Sequence, residues 1–257
     1  MSHDGVPALS ERRRVVEGVA FVVLALAAVG SGYRWLVGTT MPETAGLWLG
    51  PTTAVVGFVA AFTWRHREAM RTTDGVAMES LGVANAVTLG RGVLIGIVAG
   101  FVLLEPEGRY LWVPAVGYGV AVVLDSVDGA LARSLGTESR LGTRLDMAVD
   151  TIGFLVAPLV AVAWGWLPVW YLSLSAARYC YRAGCWLYRV RGGTVGPLPQ
   201  SLLRRPLSGL QMVFLWVALV PIVPTDLVTL AAPFVLVPSL AVFVRDFLVV
   251  TVLATEE

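Results

Sequence analysis

Residues 125–150 form the stretch that decides the fold, and they read DSVDGALARSLGTESRLGTRLDMAVD. Asp125 and Asp128 are three residues apart, and Ala132 follows four residues later. That spacing places all three on one face of a helix. The first half of the stretch therefore predicts a helix with an acidic face.

The second half of the stretch predicts a partner for that helix. Gly142, Asp146 and Asp150 recur every four residues and share a helix face. Because the connecting segment is short, we expect an antiparallel helix pair with the acidic faces opposed. Carboxylate oxygens suit magnesium, manganese or calcium better than zinc. A purely structural network with nearby arginines is a weaker alternative, since buried ion pairs rarely offset their desolvation cost.

The composition indicates a membrane protein. Of 257 residues, 56% are hydrophobic and only 14% are charged. The apolar residues come in blocks close to the roughly 20 residues that cross a bilayer as a helix. We predict an all-α, polytopic membrane helix bundle with about eight transmembrane helices: Val16–Val37, Leu47–Trp64, Ala84–Leu104, Leu111–Ala132, Gly142–Trp164, Pro168–Tyr188, Leu207–Val223 and Leu227–Phe243.

The arginines predict the orientation. They concentrate in alternate connections and are sparse in the others, where Arg34 and Arg109 lie. The positive-inside rule then puts both termini and the acidic ends of the central helix pair on the cytoplasmic side of the cytoplasmic membrane. Residues 65–84 are the longest polar stretch, either a helix on the membrane surface or a linker. Gly96 and Gly100 have the spacing of a helix-packing face.

The central stretch also carries a family signature. It fits the pattern DxxDGxxARx8GxxxDxxxD at all eight fixed positions. On these residues the chain resembles the CDP-alcohol phosphotransferase family. The resemblance implies a catalytic core over residues 75–257, preceded by an N-terminal transmembrane hairpin and linker over residues 1–74, which lie outside the family pattern.

The resemblance also implies roles for single residues. Metal ions, Mg²⁺ or Mn²⁺ and two in number, would be held by Asp125, Asp128, Asp146 and Asp150. Asp150 would also be the catalytic general base. The CDP moiety would be bound by Gly129, Ala132, Arg133 and Gly142, and by the upstream pattern Asn85-x-x-Thr88-x-x-Arg91.

The implied reaction transfers a phosphatidyl-type group, diacyl or archaeal ether-linked, from a CDP-linked lipid to a small polar alcohol, with release of CMP. An arginine-rich region suits a phosphorylated acceptor such as glycerol 3-phosphate or an inositol phosphate, with Arg178, Arg182, Arg204 and Arg205 as acceptor-binding residues. These arginines would equally satisfy the positive-inside rule and contact lipid headgroups. We expect membrane lipids and a second copy of the chain as partners, and no nucleic acid.

Two other functions also fit paired acidic residues in a membrane. An intramembrane magnesium-dependent prenyltransferase would have its two acidic motifs in separate halves of the chain, whereas here both lie within residues 125–150. A cation transporter would leave the Gly-Ala-Arg positions without a role. Near the C-terminus, Arg245 and Asp246 are predicted to pair locally at a helix end.

Overall fold

The computed structural model describes residues 6–39, 42–69, 80–135, 139–193, 195–196 and 203–251; the side chains of residues 6–12, 14, 39 and 128–135 lie outside the description. The described residues form α-helices with the following bounds: α1 Val6–Thr39, α2 Pro42–Arg65, α3 Val83–Ala99, α4 Val113–Leu135, α5 Arg140–Ala163, α6 Ser173–Val190, α7 Arg204–Ala218 and α8 Thr225–Thr251. Short 3-10 turns cover Arg67–Ala69, Gly100–Leu103 and Val169–Leu172.

The all-helical prediction is confirmed, and no β-strand occurs among the described residues. Each α-helix overlaps one of the predicted spans. Five helical segments are long and apolar enough to cross a membrane, namely Val15–Gly38, Pro42–Arg65, Val83–Leu103, Arg140–Ala163 and Thr225–Thr251. Helix α4 has a shorter apolar portion, Val113–Val127. The count of eight crossings therefore stays a prediction. Of the polar stretch 65–84, residues 70–79 lie outside the described part of the chain.

The chain divides into two units, Met1–Val156 and Ala157–Glu257, with the boundary inside α5. In the first unit, α2 packs against α1 and α3, and α3 packs against α4. Aromatic side chains fill the core at one end. The ring of Trp48 meets Phe101 edge-on at 6.4 Å between centroids, and Phe101 lies 5.5 Å from the ring of Tyr110. These contacts pack the 3-10 turn that follows α3 against α2.

In the second unit, a buried polar cluster joins α7 and α8. Gln211 of α7 donates through Nε2 to the Val235 carbonyl at 2.8 Å and to Ser239 Oγ at 2.9 Å. The Tyr171 hydroxyl donates to Gln211 Oε1. Gln211 therefore links α7 to α8 through hydrogen bonds to one backbone acceptor and one side-chain acceptor.

This cluster leads to a stability prediction. Gln211→Leu removes the donor to Val235 and the acceptor for Tyr171, so we expect a loss of roughly 0.5–2 kcal/mol in the free energy of unfolding. Thermal unfolding in detergent micelles measures it, with Leu210→Met on the exposed side of α7 as the control. Equal unfolding midpoints for Gln211→Leu and the wild type would show that the cluster contributes nothing.

Candidate metal and active site

Three of the predicted aspartates converge in the first unit. Asp125 comes from α4, and Asp146 and Asp150 come from successive turns of α5. One carboxylate oxygen from each lies within 4.8 Å of the others. The two helices therefore present their acidic faces to one another, because the helical repeat aligns Asp146 with Asp150 and the short α4–α5 connection brings Asp125 opposite.

A guanidinium group from α3 lies among these carboxylates. Arg91 contacts Asp146 through Nη1 at 2.8 Å and Asp150 through Nη2 at 2.7 Å, and it also pairs with Asp125. The Arg91 side chain is only 3% exposed, whereas the three aspartates are between 26% and 46% exposed. Arg91 thus closes the buried side of the cluster, and the carboxylates form its open side.

This pairing could have been inferred from the sequence. Arg91 lies in an apolar helix, and α3 contains no acidic residue of its own. A charged side chain in such a helix must find its counter-charge on another helix. The nearest acidic groups in a membrane segment are those of the central stretch. The pattern Asn85-x-x-Thr88-x-x-Arg91 led instead to a prediction that Arg91 contacts the nucleotide.

The chemistry of the cluster fits a divalent cation. Three carboxylates contribute a formal charge of −3 and one guanidinium contributes +1, which leaves −2. Hard oxygen donors without sulfur or imidazole favour Mg²⁺, Mn²⁺ or Ca²⁺. Asp125, Asp146 and Asp150 are therefore a suitable donor set. The cluster could neutralise a diphosphate only with added cations, because its own charge would repel the phosphates.

A hydrogen-bonded contact joins α3 to the beginning of α5. Ser139 is the N-cap of α5, and its Oγ accepts from the Gly142 N–H at 2.8 Å. Asn85 donates through Nδ2 to Ser139 Oγ at 3.1 Å and to the Leu81 carbonyl at 2.6 Å. Both Asn85 and Ser139 are buried. Sequence reasoning missed Ser139, although a serine directly before a helix is a recognisable N-cap signal.

Gly142 permits this contact. A Cβ atom at Gly142 would collide with Asn85 Oδ1 and would lie 3.0 Å from Ser139 Oγ. The absence of a side chain thus lets α3 approach the first turn of α5. Thr88, one turn along α3 from Asn85, donates to the Ala84 carbonyl at 3.1 Å. Asn85, Thr88 and Gly142 were predicted to bind the nucleotide, and that role stays a prediction.

The fit at Gly142 can be tested by a single methyl group. We expect Gly142→Ala to cost about 1–3 kcal/mol in the free energy of unfolding, because Asn85 and Ser139 must move apart. Gly90→Ala is the matched control, since a Cβ at Gly90 meets no atom within 4 Å. Thermal unfolding of the two variants compares them, and an equally stable Gly142→Ala protein would contradict this account of the contact.

The remaining residues of the signature lie on α4, but their side chains fall outside the described part of the structure. They are Asp128, Gly129, Ala132 and Arg133. Their predicted roles in metal and nucleotide binding stay predictions.

The predicted acceptor-binding arginines belong to the second unit. Arg178 and Arg182 lie on α6, and Arg204 and Arg205 begin α7. The Arg178 guanidinium lies 6.0 Å from the centroid of the Phe243 ring. Arg182 and Arg205 are exposed. Their role toward an acceptor stays a prediction.

Arg204 has a buried partner in the same unit. It donates through Nη2 and Nε to Asp246 Oδ2, at 2.7 and 3.1 Å. The Asp246 side chain is 6% exposed, whereas Arg245 is exposed. The predicted local pair between Arg245 and Asp246 is therefore wrong. Adjacent residues on a helix point in different directions, so they do not face each other.

Comparison with known proteins gives one family and several relatives. The family model described as CDP-alcohol phosphatidyltransferase matches residues 81–243. Proteins named "Putative cardiolipin synthase" from Mycobacterium tuberculosis and Mycobacterium bovis are 37% identical over 75 residues, which cover 27% of this chain and 36% of each relative. The CDP-diacylglycerol--serine O-phosphatidyltransferase of Mycobacterium leprae is 48% identical over 42 residues, which cover 16% of this chain and 14% of that protein. No solved structure matches the chain.

Proposed function

Because the chain belongs to the CDP-alcohol phosphatidyltransferase family, we propose that it is an integral membrane enzyme of phospholipid synthesis that transfers a phosphatidyl-type group from a CDP-linked lipid to an alcohol. The observation that carries this proposal is the convergence of Asp125, Asp146 and Asp150 around Arg91, inside the family-matched region. The same match disfavours the prenyltransferase and transporter alternatives.

In the proposed reaction, Asp150 takes the proton from the acceptor hydroxyl. The oxygen then forms a bond to the lipid-linked phosphorus, and the bond from that phosphorus to the CMP oxygen breaks, so CMP leaves with the electron pair. Asp150 is the least exposed of the three carboxylates. Its side chain is still 26% exposed, so an acceptor hydroxyl could reach it from the open side of the cluster.

Metal binding belongs to the proposal. Asp125, Asp146 and Asp150, together with Asp128, would hold the Mg²⁺ or Mn²⁺ ions, two in number. When bound, such ions would neutralise the diphosphate of the donor. In the absence of substrate, Arg91 would keep Asp125, Asp146 and Asp150 close together, because its fork-shaped guanidinium contacts these three carboxylates.

The acceptor is proposed to carry a phosphate group, as in glycerol 3-phosphate or an inositol phosphate. The exposed guanidinium groups of Arg182 and Arg205 support an anionic acceptor. Arg204 supports it less, because Asp246 already balances its charge. Serine is the competing acceptor, because the name of the Mycobacterium leprae relative contains it.

The proposed location is the cytoplasmic membrane, with the site and both termini facing the cytoplasm. The concentration of arginines in alternate connections supports this orientation. A homodimer is part of the proposal, in line with the family resemblance.

A CMP-release assay tests the proposal. Purified protein is mixed with Mg²⁺, a diacyl or an ether-linked CDP-lipid, and one alcohol at a time: glycerol 3-phosphate, an inositol phosphate or serine. We expect metal-dependent CMP release with one phosphorylated alcohol and none in EDTA. Release with serine alone would overturn the phosphorylated acceptor, and no release with any alcohol would overturn the enzyme class.

A further inference from the structure

Helices α1 and α2 form a hairpin that precedes the family-matched region, which begins at Leu81. Nothing in the family match assigns this hairpin a role. Helix α2 nevertheless packs along α3, the helix that supplies Asn85 and Arg91 to the site. The contacts between the hairpin and α3 occur at both ends and in the middle of α3.

The middle contact lies next to Arg91. A Cβ atom at Gly92 would be 3.0 Å from Val59 of α2 and 3.5 Å from Val149 of α5. Helix α3 is thus held between α2 and α5 at the level of Arg91. Gly92 directly follows Arg91, and Val149 directly precedes Asp150. The contact between Gly92 and Val149 therefore lies beside the Arg91–Asp150 ion pair.

The far end of α3 rests on bulkier side chains of α2. A Cβ at Gly96 would lie 2.6 Å from Val56, and one at Gly100 would collide with Thr52 and Trp48. The Trp48 indole donates to the Ile97 carbonyl at 3.1 Å. The Gly96–Gly100 spacing therefore forms a helix-packing face, as the sequence predicts, and the helix packed on it is α2.

The near end of α3 is held by the other helix of the hairpin. Glu17 of α1 accepts the Leu81 N–H through Oε2 at 2.6 Å. Leu81 precedes Gly82, whose φ of 80° lets the chain turn into α3. A carboxylate at this position also interacts favourably with the positive end of the α3 helix dipole. Arg13 orients the same carboxylate through its contact with Oε1 at 3.2 Å.

We infer that the α1–α2 hairpin positions the site helix α3, and that Glu17 is a positioning residue that sets Asn85 and Arg91 through its bond to Leu81. The inference goes beyond anchoring in the membrane, which would require only the apolar surface of the hairpin. The expected effect of Glu17 on CMP release rests on the proposed function, whereas its expected effect on the structure around α3 does not.

Hydrogen–deuterium exchange of the full-length protein tests the structural consequence. Glu17→Ala should speed exchange of the amides between Leu81 and Arg91 by tenfold or more, since Leu81 loses its acceptor. Glu17→Gln retains an acceptor oxygen and should restore most of the protection. Glu43→Ala, an exposed acid in the first turn of α2, is the matched control and should leave exchange unchanged.

The kinetic consequence is measured on the same variants. In Glu17→Ala the Mg²⁺ concentration for half-maximal CMP release should rise several-fold, because a displaced Arg91 no longer holds the three carboxylates close together. Glu17→Gln should restore the wild-type concentration. A wild-type protein that releases no CMP would end the proposed function and leave the exchange result standing. Gly96→Leu places a large side chain against Val56 and should displace the hairpin from α3. If exchange over residues 81–91 stays as slow as in the wild type in both Glu17→Ala and Gly96→Leu, the hairpin has no positioning role.

Discussion

Asp150→Asn should abolish most of the transfer activity, with CMP release falling by roughly 10²- to 10⁴-fold. The amide of asparagine cannot accept a proton at neutral pH, although it retains nearly the size and shape of the carboxylate. Its oxygen can still accept from Arg91, so the packing of α3 against α5 is expected to survive. The measurement is the rate of CMP release at saturating donor and Mg²⁺.

Two further measurements separate a lost base from a lost site. Asp226→Asn, which changes an exposed aspartate at the start of α8, should retain wild-type turnover. The CDP-lipid should still protect Asp150→Asn against thermal unfolding, because Asp125 and Asp146 remain. An Asp150→Asn enzyme with near wild-type turnover would remove Asp150 from the role of base.

The features predicted from the sequence are those that local periodicity determines. The helical repeat alone aligns Asp146 with Asp150, and the short connection alone brings Asp125 opposite them. The same reasoning located the apolar helices, because lipid leaves a buried backbone few alternatives to helical hydrogen bonding. Periodicity could not fix the number of membrane crossings, because the apolar portion of α4 is short and because α6 and α7, with 18 and 15 residues, are close to or below the minimum length of a span.

Apart from the Ser139 N-cap of α5, the features that were missed depend on contacts between residues distant in sequence. Glu17 and Leu81 are 64 positions apart, and Arg204 and Asp246 are 42 apart. No spacing rule connects such residues. Charge balance could have indicated a distant partner for Asp246. A buried aspartate needs a cation nearby, and the side chain of the adjacent Arg245 points in another direction. The hairpin gave no such signal, because the residues that contact α3 and its ends, among them Trp48, Thr52 and Glu17, have no spacing that links them to α3 in the sequence.

Arg91→Ala should destabilise the protein far more without metal than with it. Removal of the guanidinium leaves Asp125, Asp146 and Asp150 facing one another with a formal charge of −3. Loss of one partner from such a cluster costs on the order of 3 kcal/mol, which corresponds to a fall of roughly 10 °C in the unfolding midpoint. Bound Mg²⁺ would offset part of the loss, because a cation that binds the folded site stabilises it.

The comparison that decides this is between EDTA and saturating Mg²⁺. Arg91→Lys restores one positive charge but not the fork that reaches several carboxylates at once, so its midpoint in EDTA should lie between those of Arg91→Ala and the wild type. Arg191→Ala, at an exposed position after α6, controls for the loss of an arginine. Equal destabilisation of Arg91→Ala in EDTA and in Mg²⁺ would mean that the guanidinium and the metal do not share these carboxylates. The metal site would then have to be sought around Asp128 and the rest of α4, whereas a selective rescue by Mg²⁺ would place the cation among the three aspartates that Arg91 contacts.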